Sequence, residues 1–550
     1  MEHDPLLKRA PAQPTGPSAR TRSRVVCAVG GLLIGAGLAL LWHAASPITV
    51  GVPAADRSTP PAALAIQQRP QGDTLHLRGN FLHVTDLHLD SNYLPGATLD
   101  SYCHRPPKKH QESGVVSGQF GAPVSSCDSP ASLIDITFNW INRTVHDQLD
   151  FVVFTGDSAR HERDEKLPRS VEEVTILNRY IASKFMAVLD PIKVPVIHVV
   201  GNNDIEPHNM LEPGPNRMLE GLYQAWKEYI PDDQRDTYLT MGYYTRELVP
   251  GRLRAVALNT QWFYSSNDFV GACRKSHHPG SRQLRWLEDI LRQAASSDTD
   301  GQEGVIIVGH VAPEDGDYFN SCYKQYARLV ARYRDTIRGQ FFGHNNKDHF
   351  YFLAGDGKAR RTRTSGKPAR SEIGIAADQP VHVARRVPSV IKELLHHYRA
   401  VWADRDRTQF TVLNVAPSVV PVYNPAIRVM KYQVADGTIP ARRTPAAGDL
   451  VHITQHQQTP STLPFATMLD YDQFWLNLTA ANDEFDNAQS PGYYPDYELL
   501  YSARRQYDIP DLTFESYLDM SYRMVHNVTL RRQFAEFFCV MAGLQEDSYL

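Results

Sequence analysis

Neither sign of charge prevails in this chain of 550 residues: 57 Lys and Arg stand against 61 Asp and Glu, a net charge of -4. That balance argues against a generic nucleic-acid binder, so an anionic ligand has to be drawn by local charge. No internal repeat is present, which excludes a stacked-repeat architecture. Cysteine is scarce, with six residues in all. Long apolar runs are scarce too: only Val25 to Trp42 is uncharged and almost wholly apolar.

That run of 18 residues is marginally sufficient to cross about 30 Å of hydrocarbon. Lys8, Arg9, Arg20, Arg22 and Arg24 precede it, which favours keeping its N-terminal side in the cytoplasm. The expected order is a cytoplasmic tail over 1–24, a signal-anchor over 25–43 and a stalk over 44–78 rich in Ala, Pro, Gln and Gly. A cleavable signal peptide ending at Ala44-Ala45-Ser46 is the alternative. Three Asn-x-Thr sequons, at Asn142, Asn477 and Asn527, come after the run and are candidate N-glycan sites. Five cysteines also come after it. Four of them can form two bridges in one of three pairings, and sequence order suggests Cys103 with Cys127 and Cys273 with Cys322.

From Phe81 the pattern alternates between strand and helix. Ser129-Pro130 reads as an N-cap with proline at N1, and Ile134, Phe138, Ile141 and Val145 then fall at helical spacing. Val174, Leu177, Ile181 and Val188 mark a second helix, Leu219, Leu222 and Trp226 a third, and Leu284, Leu287 and Leu291 a fourth. Further strands are expected at 253–259, 304–309, 340–343, 350–353 and 409–415, implying a layered α/β domain over 79–435. Residues 356–386, basic and rich in Gly, Ala, Ser and Thr, read as a disordered insertion. Residues 436–550 read as an extension packed on the main domain.

Five apolar β-type runs end in short polar segments: Asp86-Leu-His88, Gly156-Asp157, Gly201-Asn202-Asn203-Asp204, Gly309-His310 and Gly343-His344-Asn345-Asn346. Strand ends carrying carboxylate, imidazole and amide ligands, with Gly where the chain turns sharply, describe the ligand edge of an α/β sheet. Two hard cations about 3.5 to 4 Å apart can be held by such a set.

In order and content the five segments resemble the calcineurin-like metallophosphoesterase pattern DxH, GD, GNH[DE], GH and GHxH. The resemblance covers roughly residues 80–350. It implies a layered α/β/β/α sandwich with mixed sheets and a site for two divalent cations (Mn, Co, Zn, Mg or Fe). Asp86 and His88 would hold the first, Asp157 would bridge, and Asn202, His310 and His344 would hold the second. Asn346 stands where the pattern has its last His and would ligate the first cation through a weaker amide oxygen.

Asn203 stands where most relatives carry a His able to protonate a departing alkoxide. An alcohol, with a pKa near that of water at about 16, needs that proton; a phosphate, with its ionisation at about 6, does not. The departures together make the chain resemble the fungal endopolyphosphatases, carried by DLHLD at 86–90, TGDSARHERD at 155–164, GNNDIEPHN at 201–209, GHVAP at 309–313 and GHNNKDHF at 343–350. NPAIRVMKY at 424–432 resembles a segment of the wider acid sphingomyelinase-like branch. The resemblance implies hydrolysis of internal phosphoanhydride bonds of inorganic polyphosphate, with release of phosphate from chain ends as an accompanying activity. It also implies a single-pass type II vacuolar membrane protein with its catalytic domain in the lumen.

Arg160 is the candidate to neutralise a phosphoryl oxygen, against a salt bridge to Glu162 or Asp164. His208 and His349 are the candidates to replace the acid missing at Asn203, and His161 is a candidate to orient His88 or Asp157. Lys347 reads first as an exposed lysine, with steering of an anionic chain as its other use. Two other functions stay open: a sphingomyelinase-like phosphodiesterase, and an inactive luminal binding module.

Overall fold

In the computed structural model, the described residues are 77–108, 115–297, 303–314, 316–356, 380–434, 463–487 and 494–542. The expected signal-anchor and nearly all of the stalk lie outside them. Among the described residues, no helix is long and apolar enough to cross a membrane.

Twelve strands are described: β1 (Asn80–Val84), β2 (Phe151–Phe154), β3 (Val196–His198), β4 (Tyr244–Val249), β5 (Leu253–Ala257), β6 (Gly304–Val308), β7 (Ile337–Phe342), β8 (His349–Ala354), β9 (Phe410–Val415), β10 (Ala426–Tyr432), β11 (Met468–Trp475) and β12 (Glu498–Ser502). They form two six-stranded sheets, in the orders β12-β11-β10-β1-β2-β3 and β4-β5-β6-β7-β9-β8. Both are mixed. β1, β2 and β3 run parallel, while β10 and β11 join antiparallel. In the second sheet β5, β6, β7 and β9 run parallel between antiparallel β4 and β8.

The parallel strands read as continuous apolar runs because both their faces are covered. Along β6, Val305 and Ile307 pack with Leu284, Leu287 and Leu291 of the Pro279–Ala295 helix, whereas Ile306 and Val308 face the opposite core. That is the period-2 alternation of a pleated strand. Phe81 of β1 meets Phe341 of β7 edge to face at 5.3 Å, which puts the two sheets against each other. The Ala131–Trp140, Val171–Val188 and Arg217–Trp226 helices bury their apolar stripes in the larger core. The four expected helices are present. The first begins at Ala131 with Pro130 at its N-cap, one residue beyond the expected start.

Two boundaries read from the sequence differ. Residues 436–550 are not an appendage, because β11 and β12 complete the first sheet by pairing onto β10. The polar stretch taken for a domain end, 435–462, lies outside the described residues. The basic insertion read over 356–386 runs into a helix, Pro380–Ala403, and 357–379 lie outside the described residues. Both cysteine pairs suggested by sequence order are bridged, Cys103–Cys127 and Cys273–Cys322, and Cys539 is free and buried.

Candidate metal centre

The five polar segments come directly after β1, β2, β3, β6 and β7, and the fold brings their strand ends to one rim. Close packing there requires glycine. A Cβ on Gly156 would stand 2.8 Å from the backbone nitrogen of Gly201, and one on Gly343 would press 2.7 Å from Asp86 Oδ2. Asp86, His88, Asp157, His344 and Asn346 themselves hold φ between 40° and 69°. Left-handed backbone is costly for residues with a Cβ, and such residues collect at functional sites. Here the strain aims five side chains inward from turning chain.

His88 and His310 are set as ligands by their other ring nitrogens. His88 Nδ1 lies 3.0 Å from the Ala159 carbonyl and His310 Nδ1 lies 2.7 Å from that of Thr155, so each Nδ1 donates and each Nε2 offers a lone pair. His88 Nε2 faces Asp86 Oδ1 at 3.5 Å and Asp157 Oδ2 at 3.4 Å. His310 Nε2 lies 3.2 Å from Asp157 Oδ2, 2.8 Å from Asn202 Oδ1 and 3.3 Å from His344 Nδ1. Asn202 Oδ1 also lies 2.9 Å from His344 Nδ1. Asp157 Oδ2 is therefore common to both sets.

These donors fit cations. Among the described residues, Asp86 Oδ1, His88 Nε2 and Asn346 Oδ1 are buried without a hydrogen-bond partner, and such atoms carry a desolvation cost unless something satisfies them. Lone pairs converging from carboxylate, imidazole and amide describe a divalent-cation site. The electrostatics agree. Burial alone would hold His310 down, but Asp157 and Asp86 beside it lift it to about 9. Burial opposes ionisation of Asp157, yet His310 and His88 hold its carboxyl well below the usual range. Burial and the neighbouring His310 push His344 down to about 4.

Several residues that the sequence did not single out hold this arrangement. Asp204 accepts hydrogen bonds from the backbone nitrogens of Asp157 and Ser158 (2.8 Å each), Ala159 (3.3 Å) and Gly201 (3.1 Å), and from Asn178 Nδ2 (3.0 Å). One carboxylate thus ties the loops after β2 and β3. Asn178, on the Val171–Val188 helix, also accepts from Trp226 Nε1 at 3.1 Å. Arg169 donates to the carbonyls of Arg160, Asn203 and Ile205 and to Glu206. Asp204 lies inside the segment after β3, so a carboxylate beside the Gly-Asn-Asn turn was its available signal. Arg169 had none.

Asn203 turns its amide to the bridging carboxylate. Its Nδ2 and its backbone nitrogen donate to Asp157 Oδ2 and Oδ1, each at 2.8 Å. His208 accepts from Asn202 Nδ2 at 3.0 Å, as does Asn209 Oδ1, which fixes the Asn202 carbonyl oxygen toward His310 and His344. Burial, with Arg169, pushes His208 down to about 4. His349 is engaged at both ring nitrogens, by the Lys347 carbonyl at 3.2 Å and Glu314 Oε1 at 2.8 Å. His161 stacks on His88 at 3.9 Å and bonds Asp128 at 2.7 Å, and so fixes the plane of that ring.

Arg160 is a correction. Its side chain is buried and engaged at all three nitrogens: Nε and Nη2 to Glu173, Nη2 also to the Leu167 carbonyl, Nη1 to that of His161. The counter-ion is Glu173 of the Val171–Val188 helix, not Glu162 or Asp164, so the forked face of the guanidinium is spent within the protein. Lys347 is a second correction, since it is only 6 % exposed.

A sandwich of two mixed sheets whose strand ends converge Asp, His and Asn on a shared carboxylate describes a centre fit for divalent cations. Over residues 79–348 the chain matches the family profile of the calcineurin-like phosphoesterases. It is also similar to fungal endopolyphosphatases. That of Cryptococcus neoformans is 34% identical over 435 residues, 71% of this chain and 62% of the relative. That of Yarrowia lipolytica is 31% identical over 424 residues, 65% and 56%. That of Saccharomyces cerevisiae is 25% identical over 620 residues, 89% of each. The chain spans less than two thirds of the length of the first two.

Proposed function

We propose that this protein is an endopolyphosphatase, a hydrolase that cuts internal phosphoanhydride bonds of inorganic polyphosphate. The observation that carries the proposal is that the groups nearest the metal ligands are unfit to donate the proton an ester would need. Asn203 cannot protonate a leaving group, His208 already accepts from Asn202, and His349 is taken up by Glu314 and Lys347. A departing phosphate needs no such proton, because its ionisation lies at about 6. The family match and the names of the relatives support the same reading.

Asp86, His88, Asp157 and Asn346 would hold one divalent cation and Asp157, Asn202, His310 and His344 the other. When bound, such a pair lowers the pKa of water and neutralises charge on the phosphoryl group. The chain's own part is orientation. Asn203 holds Asp157 through two hydrogen bonds, His208 and Asn209 present the Asn202 oxygen, and Asp204 locks the two loops. The catalytic domain is read as luminal, behind a single-pass type II anchor in the vacuole membrane. Exposure of Asn142, Asn477 and Asn527 is consistent with N-glycans there.

The test is product sizing. Full-length protein supplied with manganese, cobalt, zinc or magnesium is given long polyphosphate and, separately, a nitrophenyl phosphodiester. Fragments of intermediate length are expected. Orthophosphate alone would mean attack from chain ends, and turnover of the ester alone would overturn the proposal in favour of a phosphodiesterase.

A further inference from the structure

We propose that His208 is a substrate-binding residue of this site, its Nδ1–H holding an anionic oxygen of the phosphoryl group next to the one attacked. The inference rests on the endopolyphosphatase reading and adds a residue that grips the chain. The arginines packed around the metal ligands are spent within the protein. Arg160 is committed to Glu173, Arg169 to three carbonyls and Glu206, and Arg163 to the Ser126 carbonyl and Asp128. A polyanion that reaches the cation site on a protein of net charge -4 therefore needs a local donor that is still uncommitted.

His208 supplies one. Asn202 aims Oδ1 at His310 Nε2 (2.8 Å) and His344 Nδ1 (2.9 Å), so its Nδ2 turns the other way, 3.0 Å from His208 Nε2. An amide nitrogen only donates, so Nε2 is the acceptor and the ring hydrogen sits on Nδ1. The ring is then neutral: it gives a hydrogen bond through Nδ1 and keeps its proton, which suits a leaving group that needs none. Among the described residues Nδ1 has no hydrogen-bond partner, and it is not buried, so the N–H is open to solvent. Arg169, Asp157, Arg163 and His88 all act on the ring electrostatically, which places it beside both ligand sets. An N–H that meets an anionic oxygen forms a hydrogen bond about twice as strong as a neutral one. Neighbouring phosphoryl groups of a polyphosphate carry such oxygens on both sides of the cleaved bond. A simple phosphodiester lacks the flanking group.

Replacing His208 with Nδ1-methylhistidine tests this at one atom, because Nε2 still accepts from Asn202 while the Nδ1 hydrogen is gone. In full-length protein with saturating manganese, KM for long polyphosphate should rise about tenfold, and kcat should change less. The ratio of kcat/KM on polyphosphate to that on a nitrophenyl phosphodiester should fall about tenfold. His208→Gln, whose amide offers both an acceptor and a donor, should keep most of the wild-type KM. Should the methylated protein fail to fold, wild-type protein labelled with ¹⁵N-histidine gives an independent reading. With magnesium bound, saturating tripolyphosphate should shift the His208 Nδ1 resonance, assigned by its loss in His208→Gln. An unchanged KM in a folded methylhistidine protein that cuts polyphosphate would overturn the inference, as would a His208 resonance blind to tripolyphosphate. So would a loss shared equally by both substrates together with a drop in bound manganese, which would confine His208 to presenting Asn202. If the wild-type protein cuts only the ester, the proposed function falls instead, and the resonance still decides the His208 contact.

Discussion

At the scale of single residues the centre depends on which lone pairs are spent and which are left. Asp157 is shared by both ligand sets, so Asp157→Asn should lower turnover about 10³-fold or more and lower bound metal measured by elemental analysis. Asp204 is not among the ligands, but it ties the Asp157 and Gly201 backbones. Asp204→Asn should weaken metal binding about 10- to 100-fold, the range for groups that orient ligands, measured by titration of the apo-protein. It should also lower the melting temperature. Asn203→His restores a proton donor but gives up the amide contact to Asp157. A gain of about tenfold or less on alkyl phosphodiesters is expected, short of the full effect of a general acid, with no gain on polyphosphate. An equal rise on both substrates would refute the leaving-group argument.

Elements decide what lies within reach of these residues. His104 sits between β1 and the Ala131–Trp140 helix in the chain, bonded at Nδ1 to Asp164 and at Nε2 to Asp90, each at 2.7 Å. Burial would lower its pKa, but the two carboxylates win and raise it. A histidine raised in the folded state stabilises fully below its unfolded value, about 6.5, and loses that contribution as pH climbs through the folded one. The stability gap between wild type and His104→Asn, from denaturant unfolding, should therefore be widest near pH 5 to 6 and narrow toward alkaline pH. The same scale explains what the sequence disclosed. Ligands at strand ends were legible because apolar run, Gly and polar residue lie together in the chain. Glu173 was not, because it is 13 residues from Arg160 and meets it only through the turn of a helix. Lys347 was misread as exposed because its cover comes from segments far away in sequence.

For the whole molecule the decisive fact is that the chain end closes the first sheet. Arg428 on β10 is buried, paired with Asp348, and bonded to Gln473 of β11 at 3.0 Å, with the Tyr471 ring 4.0 Å from its guanidinium. Tyr501 of β12 donates to the same Asp348. Asp348 lies two residues beyond Asn346, and its backbone nitrogen donates to the Phe538 carbonyl at 3.1 Å. The last described helix therefore supports the loop that carries His344 and Asn346. A chain ending at residue 435 would leave β10 as a bare edge and would strip the Arg428–Asp348 pair of the Gln473, Tyr471 and Tyr501 contacts that cover it. Such a chain should be insoluble or lack a cooperative melt. If it instead folded and cut polyphosphate with a normal KM, the two sheets would be independent of that closure and the support assigned to the metal loop would be wrong.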